Sequence, residues 1–195
     1  MNTAWELPSA LVVGGLNFNI RTDFRAIIDI IKAYRDPDFE DDERTLILLM
    51  ILYEDFDSMP CELYEEAIEA ACDFIDMGIP KSEKSRPSVM DWEQDAPLII
   101  SAINGNMRTD IRSLPHLHWW TFLSAYMELG DTLYTNILNV RTKKALGKKL
   151  EKHELQFIRD NRHLVELKTP ESTEVRAEKD SILKALGGGK MNGTA

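Results

Sequence analysis

One stretch of the chain, residues 114–161, constrains the fold more than any other. Trp119, Phe122 and Tyr126 are spaced as one stripe of an α-helix, and Trp120 begins a second stripe beside it. Two stripes of large apolar side chains must be covered, so we expect both tryptophans to pack against the rest of the protein. Any fold for this chain has to be built around that helix.

The residues that follow predict a second helix directly after the first. Gly130 and Asp131 combine a residue that ends helices with one that begins them. Beyond them, Leu133, Ile137 and Val140 lie at helical spacing. Because the connection is short, the pattern predicts that the two helices form an antiparallel pair.

Helical periodicity also dominates the rest of the chain, of which 44% is hydrophobic. Acidic residues or prolines at the starts, and glycines or prolines at the ends, mark further helices. The predicted ranges are about 22–34, 41–56, 61–77 and 148–168, with a further helix that begins near Asp91 or Asp95 and ends at residues 104–106. The second of these is apolar on every side, so we expect it to be central. The fold is therefore predicted to be mainly all-α, a compact domain of about six to seven helices.

A short β-hairpin is predicted before the first helix, at about residues 10–21. Two apolar runs flank Gly14 and Gly15, and the second run alternates apolar residues such as Phe18 and Ile20 with asparagine. Paired glycines suit a tight hairpin turn because they adopt positive φ without steric cost. A single hairpin is marginally stable in water, so its apolar face should lie on the helices.

We expect one domain over residues 1–168, followed by a flexible tail over residues 169–195, where polar and small side chains predominate. The prolines and serines of residues 80–90 predict a surface loop inside the domain.

The sequence also predicts a cytoplasmic protein. Cys61 and Cys72 are too far apart for a disulfide within one straight helix, and we interpret both as reduced core residues. The longest apolar run, residues 45–53, is half the roughly 18 residues that a membrane-spanning helix requires.

Charge is divided unevenly along the chain, whose formal net charge is −10. Residues 36–76 contain 15 acidic side chains and one basic one, whereas residues 141–168 contain nine basic and four acidic ones. The second range therefore carries +5 (9 − 4), and the remainder carries −15 (−10 − 5). One interpretation is an ordinary solvated helical surface. The other is self-association, with the acidic face of one copy against the basic face of the next.

No motif predicts catalysis, a cofactor or a bound metal, and we expect a non-enzymatic protein. His116 and His118 are close together but have no cysteine or further histidine at zinc-binding spacing. We interpret His118 as a helix cap or as a packing partner of Trp119. The acidic cluster at residues 38–43 lacks the spacing and the central glycine of a calcium loop.

The basic run at residues 141–149 is the part of the chain best suited to contact a partner. Nucleic acid is not the expected partner, because the run has no interleaved aromatic residues and the protein around it is acidic. The nearby aromatic residues would join the contact if they are exposed, whereas core packing is the alternative for them. The candidate partner-binding residues are Trp119, Trp120, Tyr126, Arg141, Lys143, Lys144, Lys148 and Lys149.

Three segments carry a resemblance to a known family. They are LHWWTFL at residues 117–123, VRTKKALGKKL at residues 140–150, and LPSALVVGGLNFNIRTDFR at residues 7–25. The last of these has a leucine-proline start, a glycine hairpin and a DFR triplet. Over about residues 7–165 the chain resembles a family of bacteriophage tail-region proteins encoded close to the tape-measure gene.

The resemblance implies a role in tail morphogenesis. In the first hypothesis the protein is a chaperone that binds the tape-measure protein in the cytoplasm of the bacterial host while tail-tube protein polymerises around it. In the second hypothesis it is a structural component of the mature virion tail. A third hypothesis, from another class, is a nucleic-acid-binding regulator that uses residues 141–149, whose affinity would fall steeply with salt.

Overall fold

The structure is a computed structural model that describes residues 5–79, 87–168, 172–175 and 177–178. Within these ranges the fold is mainly α-helical with a two-stranded antiparallel hairpin, as the sequence predicts. The strands are β1 (Ala10–Val13) and β2 (Leu16–Asn19). The helices are α1 (Phe24–Arg35), α2 (Asp41–Leu52), α3 (Tyr64–Ile75), α4 (Ala96–Met107), α5 (Trp119–Met127), α6 (Leu133–Ala145), α7 (Lys152–Asp160) and α8 (Arg162–Val165).

The hairpin forms where the sequence predicts it and lies against α3. Gly14 and Gly15 both have positive φ, +57° and +76°, which is the conformation of a tight two-residue turn. A Cβ on Gly14 would also meet the side chain of Leu63 at 2.6 Å. The amide of Gly14 donates a hydrogen bond to the carboxylate of Glu66 on α3. The positive φ therefore favours glycine at position 14, and a larger residue there would also displace the side chain of Leu63.

Helix α2 is shorter than predicted because the chain leaves the helix at Tyr53. The backbone of Tyr53 forms an isolated β-bridge with Ile20, beside the hairpin. Its hydroxyl donates to the carbonyl of Ala67 at 2.7 Å, and the guanidinium of Arg21 donates to the last carbonyls of α2. Partners outside the helix thus satisfy carbonyl groups that a longer helix would have used.

The helices contact one another in an order that separates the charges. In an order in which each helix contacts the next, the series is α3, α2, α1, α5, α4, α6, α8 and α7. The acidic residues 36–76 contribute α2 and α3 at one end of this series, and the basic residues 141–168 contribute part of α6 with α7 and α8 at the other.

The predicted antiparallel pairing of α5 and α6 is not the main contact of either helix. Both pack on α4 instead, and they meet each other through the hydroxyls of Tyr126 and Tyr134, 2.9 Å apart. The cap of α6 is Thr132 rather than Asp131, because its hydroxyl accepts from the amide of Thr135.

One large core joins the hairpin to α1–α5, and a smaller cluster of Ile137, Val140 and Val165 joins α6 to α8. The cysteines do not both lie in the core as predicted, since Cys61 is exposed. Most of the predicted tail and residues 80–86 of the predicted loop lie outside the described residues. Within the tail, Thr173 donates through its amide and hydroxyl to the carboxylate of Asp38.

Candidate partner-binding groove

The DFR triplet ties the start of α1 to the segment that precedes α5. One carboxylate oxygen of Asp23 accepts from the amide of Arg25, which caps α1, and the other accepts from the amide of Leu117 at 2.9 Å. Burial opposes ionisation of Asp23, but these amides and the Arg25 guanidinium outweigh it and hold the pKa of the carboxyl below its usual value. Asp23 therefore acts as an ionised link between distant parts of the chain.

The other two residues of the triplet complete this link. The ring of Phe24 stacks on Phe122 of α5, with centroids 4.6 Å apart and planes within 6°. The guanidinium of Arg25 donates to the carbonyls of Ile111 and Leu114 at 3.2 and 3.0 Å. The triplet thus sets the position of α1 relative to α5.

The adjacent tryptophans close the end of α3. The indole N–H of Trp119 donates to the carbonyl of Ile75, and that of Trp120 donates to the carbonyl of Phe74, both at 2.8 Å. These carbonyls belong to the last turn of the helix, and that of Phe74 also accepts from the amide of Met77. Trp119 is only 2% exposed and Trp120 is half-buried, so the core-packing alternative holds for Trp119, which no partner can reach.

His118 is the N-cap of α5, one of the two roles that the sequence predicts for it. Its Nδ1 accepts from the amide of Trp120 at 3.0 Å, so the proton of the neutral ring lies on Nε2 and is donated to the carbonyl of Pro8. Burial, together with the nearby His116, lowers the pKa of His118, although the hydrogen bond to Pro8 acts in the opposite direction.

Arg141 is buried rather than on the surface, so its guanidinium is not exposed for the predicted contact with a partner. Its guanidinium pairs with the buried carboxylate of Asp95 through two hydrogen bonds of 2.7 and 2.9 Å. The remaining donors reach the carbonyls of Val89, Leu164 and Val165. Every part of the guanidinium is therefore used inside the protein, where it joins α4, α6 and α8.

Of the four lysines predicted to bind a partner, one is paired within the protein and three face solvent. Lys143 is half-buried and pairs with Glu154 of α7. Lys144, Lys148 and Lys149 are exposed, and none of them forms an ion pair within the part of the chain that the structure describes. These three remain available to a partner.

An open apolar groove of about 290 Å³ lies between α1 and α4, and we call it the α1–α4 groove. Helices α1 and α4 both contact α5 but leave this gap between themselves. Its apolar lining consists of Phe24, Ile28, Trp92, Ala96, Ile99, Ile100 and Phe122, with the charged residues Arg25, Asp29 and Arg112 also bordering it.

Trp92 is held in the groove by ring contacts and by the segment around it. Its ring lies 5.3 Å from that of Tyr126, which is half-buried and joins the groove to the interior. Arg35 of α1 pairs with Asp91 and donates to the carbonyl of Met90, which holds this segment beside the end of α1.

Trp92 and the groove are not among the sites that the sequence patterns predict. The sequence feature that could have indicated the groove is in α1, where isoleucines occur on more than one face of the helix. Ile27 and Ile30 are buried, whereas Ile28 remains half-exposed in the groove.

The model of the family described as Bacteriophage Gp15 protein matches residues 5–167, from before the hairpin to beyond α8. The chain belongs to the bacteriophage Gp15 protein family. The expectation of a bacteriophage protein is thereby confirmed. Comparison with curated proteins and with solved structures gives no match.

In this Gp15-family protein the groove presents mainly apolar surface. Two of its bordering cations are already paired, Arg25 with Asp23 and Arg112 with Asp110. In the described part of the chain, no cluster of three or more histidine, cysteine, aspartate or glutamate residues is arranged to hold a metal ion. No helix of those residues has the length and apolar character to cross a membrane. The arrangement can bury apolar side chains of another molecule.

Two further clefts of this Gp15-family protein have a more polar lining. The larger, about 470 Å³, lies at the end of α1 beside the charged residues Arg35, Asp36 and Asp91, and Thr173 of the tail also borders it. The other, about 310 Å³, lies between the end of α4 and the α5–α6 connection. Trp92 and Phe39 also line the larger cleft and Tyr134 lines the other, but the α1–α4 groove has the most apolar lining of the three.

Proposed function

We propose that this phage protein is a tail-assembly chaperone that binds the tape-measure protein in the host cytoplasm during tail morphogenesis. The observation that carries the proposal is the α1–α4 groove, which is open, apolar and bordered by charged residues. Membership of a bacteriophage family supports it, as does the resemblance to proteins encoded beside the tape-measure gene.

A long, helical and apolar tape-measure chain would aggregate if it were left bare. An amphipathic helix buries its apolar stripe in a groove of this kind, with large side chains as anchors. A volume of about 290 Å³ suits such side chains rather than a whole helix, so each copy makes a limited contact. Many such contacts cover a long chain and are displaced one by one when tail-tube protein arrives.

The test is co-expression with the tape-measure protein from the same phage. We expect that protein to become soluble and to co-purify with the wild-type chain. Ile28→Lys places a charge in the groove, and a half-exposed lysine can keep its ammonium in water, so the variant should fold. We expect it to lose the tape-measure protein. The control is Met127→Lys, at an exposed position of α5 outside the groove, which should retain it.

Equal recovery of the tape-measure protein with the Ile28 and Met127 variants would contradict binding in the groove. Mass spectrometry of purified particles separates the chaperone from a structural tail component. A chaperone should be absent from mature tails, and stoichiometric presence there would favour the structural role instead.

A further inference from the structure

Helix α3, in the acidic part of the chain, carries a row of exposed carboxylates. Glu65, Glu69 and Asp73 lie one turn apart along α3, and all three are exposed. Within the described residues none of their carboxylates has a basic partner. We call this row, together with the adjoining exposed side of α2, the acidic face.

The adjoining side of α2 adds apolar surface to that charge. Leu46 and Met50 are 44% and 52% exposed, and they follow the exposed Asp42 at successive turns of the same helix. The sequence predicts a central α2 because the helix is apolar on every side. The structure instead covers Leu48, Leu49 and Leu52 and leaves this stripe open.

The other end of the series of contacting helices also exposes charged and apolar side chains, but there the charge is positive. Lys144, Lys148 and Lys149 are exposed around Leu146, which is 51% exposed, and Leu155 of α7 is 42% exposed. We call this surface the basic face.

The basic face is held in one shape. Lys143 pairs with Glu154 across the turn between α6 and α7, and the other carboxylate oxygen of Glu154 accepts from the amide of Glu151 at 2.8 Å. Gly147, with φ of +64°, lets the chain turn there, and the amide of Lys148 donates to the carbonyl of Lys143. These contacts hold the turn between α6 and α7, which carries Lys148 and Lys149, in one conformation.

The acidic face and the basic face belong to different helices. Helices α2 and α3 lie at one end of the series of contacting helices, and α6 and α7 lie toward the other, with α1, α5 and α4 between them. One copy can therefore use both faces at once, each with a different neighbour. A contact between unlike faces repeats from copy to copy and produces a ring or an open filament.

We propose that copies of this chain associate head to tail, with the acidic face of one against the basic face of the next. A second copy is the occupant that the charges favour, because the two faces carry opposite charge and each also exposes apolar surface that the contact would bury. The net charge of −10 makes random encounters between copies repulsive, so attraction is restricted to the one orientation that opposes the two faces. The inference does not rest on tape-measure binding.

The test uses two charge-reversed proteins. The first is Lys144→Glu with Lys148→Glu and Lys149→Glu, which changes the net charge to −16 (−10 − 6). The second is Glu65→Lys with Glu69→Lys and Asp73→Lys, which changes it to −4 (−10 + 6). All six positions are exposed, and circular dichroism and thermal melting check that both proteins fold.

Sedimentation velocity measures association. We expect wild-type oligomers in about 50 mM salt that dissociate toward monomers in about 500 mM salt, because exposed charges are screened. Each reversed protein alone should be monomeric, and an equal mixture should assemble again. Both proteins are negative overall, so recovery in the mixture reports complementary faces rather than attraction of net charge. Glu128→Lys, an exposed residue outside both faces, should leave association unchanged.

A wild-type chain that stays monomeric at low salt and high concentration would overturn the proposal. So would reversed proteins that assemble alone as well as the wild type does, or a mixture that stays monomeric. Loss of binding to labelled duplex DNA in the first reversed protein, with no assembly of the mixture, would assign the basic face to nucleic acid instead.

Discussion

Arg141 and Asp95 form a buried ion pair, with the two terminal nitrogens of the guanidinium 2.7 and 2.9 Å from the two carboxylate oxygens. Asp95 precedes α4 and Arg141 belongs to α6, so the pair joins elements that are far apart in the chain. The carboxylate also accepts from the amide of Asp91, beside Trp92. This one contact therefore supports both the basic end and one wall of the α1–α4 groove.

The first prediction concerns that pair. Arg141→Met leaves Asp95 buried without its cation, and we expect a loss of about 3–5 kcal/mol in the free energy of unfolding. Urea denaturation measures the loss. Arg159→Met, at an exposed position of α7, should change stability by less than about 0.5 kcal/mol. Similar stability of the two variants would show that the ion pair is not needed for the fold.

The second prediction concerns Asp23. Asp23→Ala removes the cap of α1 and leaves the amide of Leu117 without its acceptor, which together should cost about 2–4 kcal/mol. The pKa of Asp23 is lowered in the folded protein, so its contribution is present above the ordinary value of 3.8 and is lost as pH falls through the lowered pKa. Thermal melts at pH 7 and in acid should therefore show a difference from wild type that shrinks in acid. Asp29→Ala, exposed on the same helix, is the control and should match wild type.

The third prediction separates the two adjacent tryptophans. Trp119→Ala removes a buried side chain and should cost about 3–5 kcal/mol. Trp120→Phe keeps an aromatic ring but removes the hydrogen bond to Phe74, and should cost about 1 kcal/mol. Chemical denaturation followed by far-ultraviolet circular dichroism checks both. Trp5→Phe, at an almost fully exposed residue, should have no effect, and an equal cost for all three would contradict the assigned contacts.

The fourth prediction concerns pH and His118. Its pKa is lowered in the folded protein, so the unfolded chain binds more protons as pH falls below the ordinary value of 6.5. Stability should be complete above pH 6.5 and should decrease from there down to the lowered pKa. His118→Asn keeps a side chain that can cap the helix but cannot titrate. We expect the melting temperature of wild type to fall more than that of the variant between pH 7.5 and 5.5. Parallel curves would show that another group is responsible.

Several features could be predicted from sequence because they depend on neighbouring residues. The hairpin turn follows from Gly14 and Gly15, whose positive φ is a local preference. The sequence predicts a helix start at about residue 22, where Asp23 is the N-cap of α1, and helical spacing predicts the helix that carries Trp119 and Trp120. Core packing of Trp119 could also be expected, because its large apolar side chain lies on a stripe that must be covered.

Features that depend on distant partners could not be predicted in this way. A basic residue inside a lysine-rich run is most often exposed, and only the position of Asp95 shows that Arg141 is internal. The α1–α4 groove lies where both helices pack on α5 and leave a gap between themselves, which no spacing in either segment encodes.

The sequence by itself determined the helical class, the hairpin and the division of charge between residues 36–76 and 141–168, since these follow from local preference and composition. The tertiary structure decided which of the charged and aromatic residues face solvent. It buried Arg141 and Trp119, left Leu46 open, and placed the two charged regions on helices at the two ends of the series of contacts. The physical reason is that burial depends on which surfaces meet across the fold, and those contacts join residues far apart in the chain.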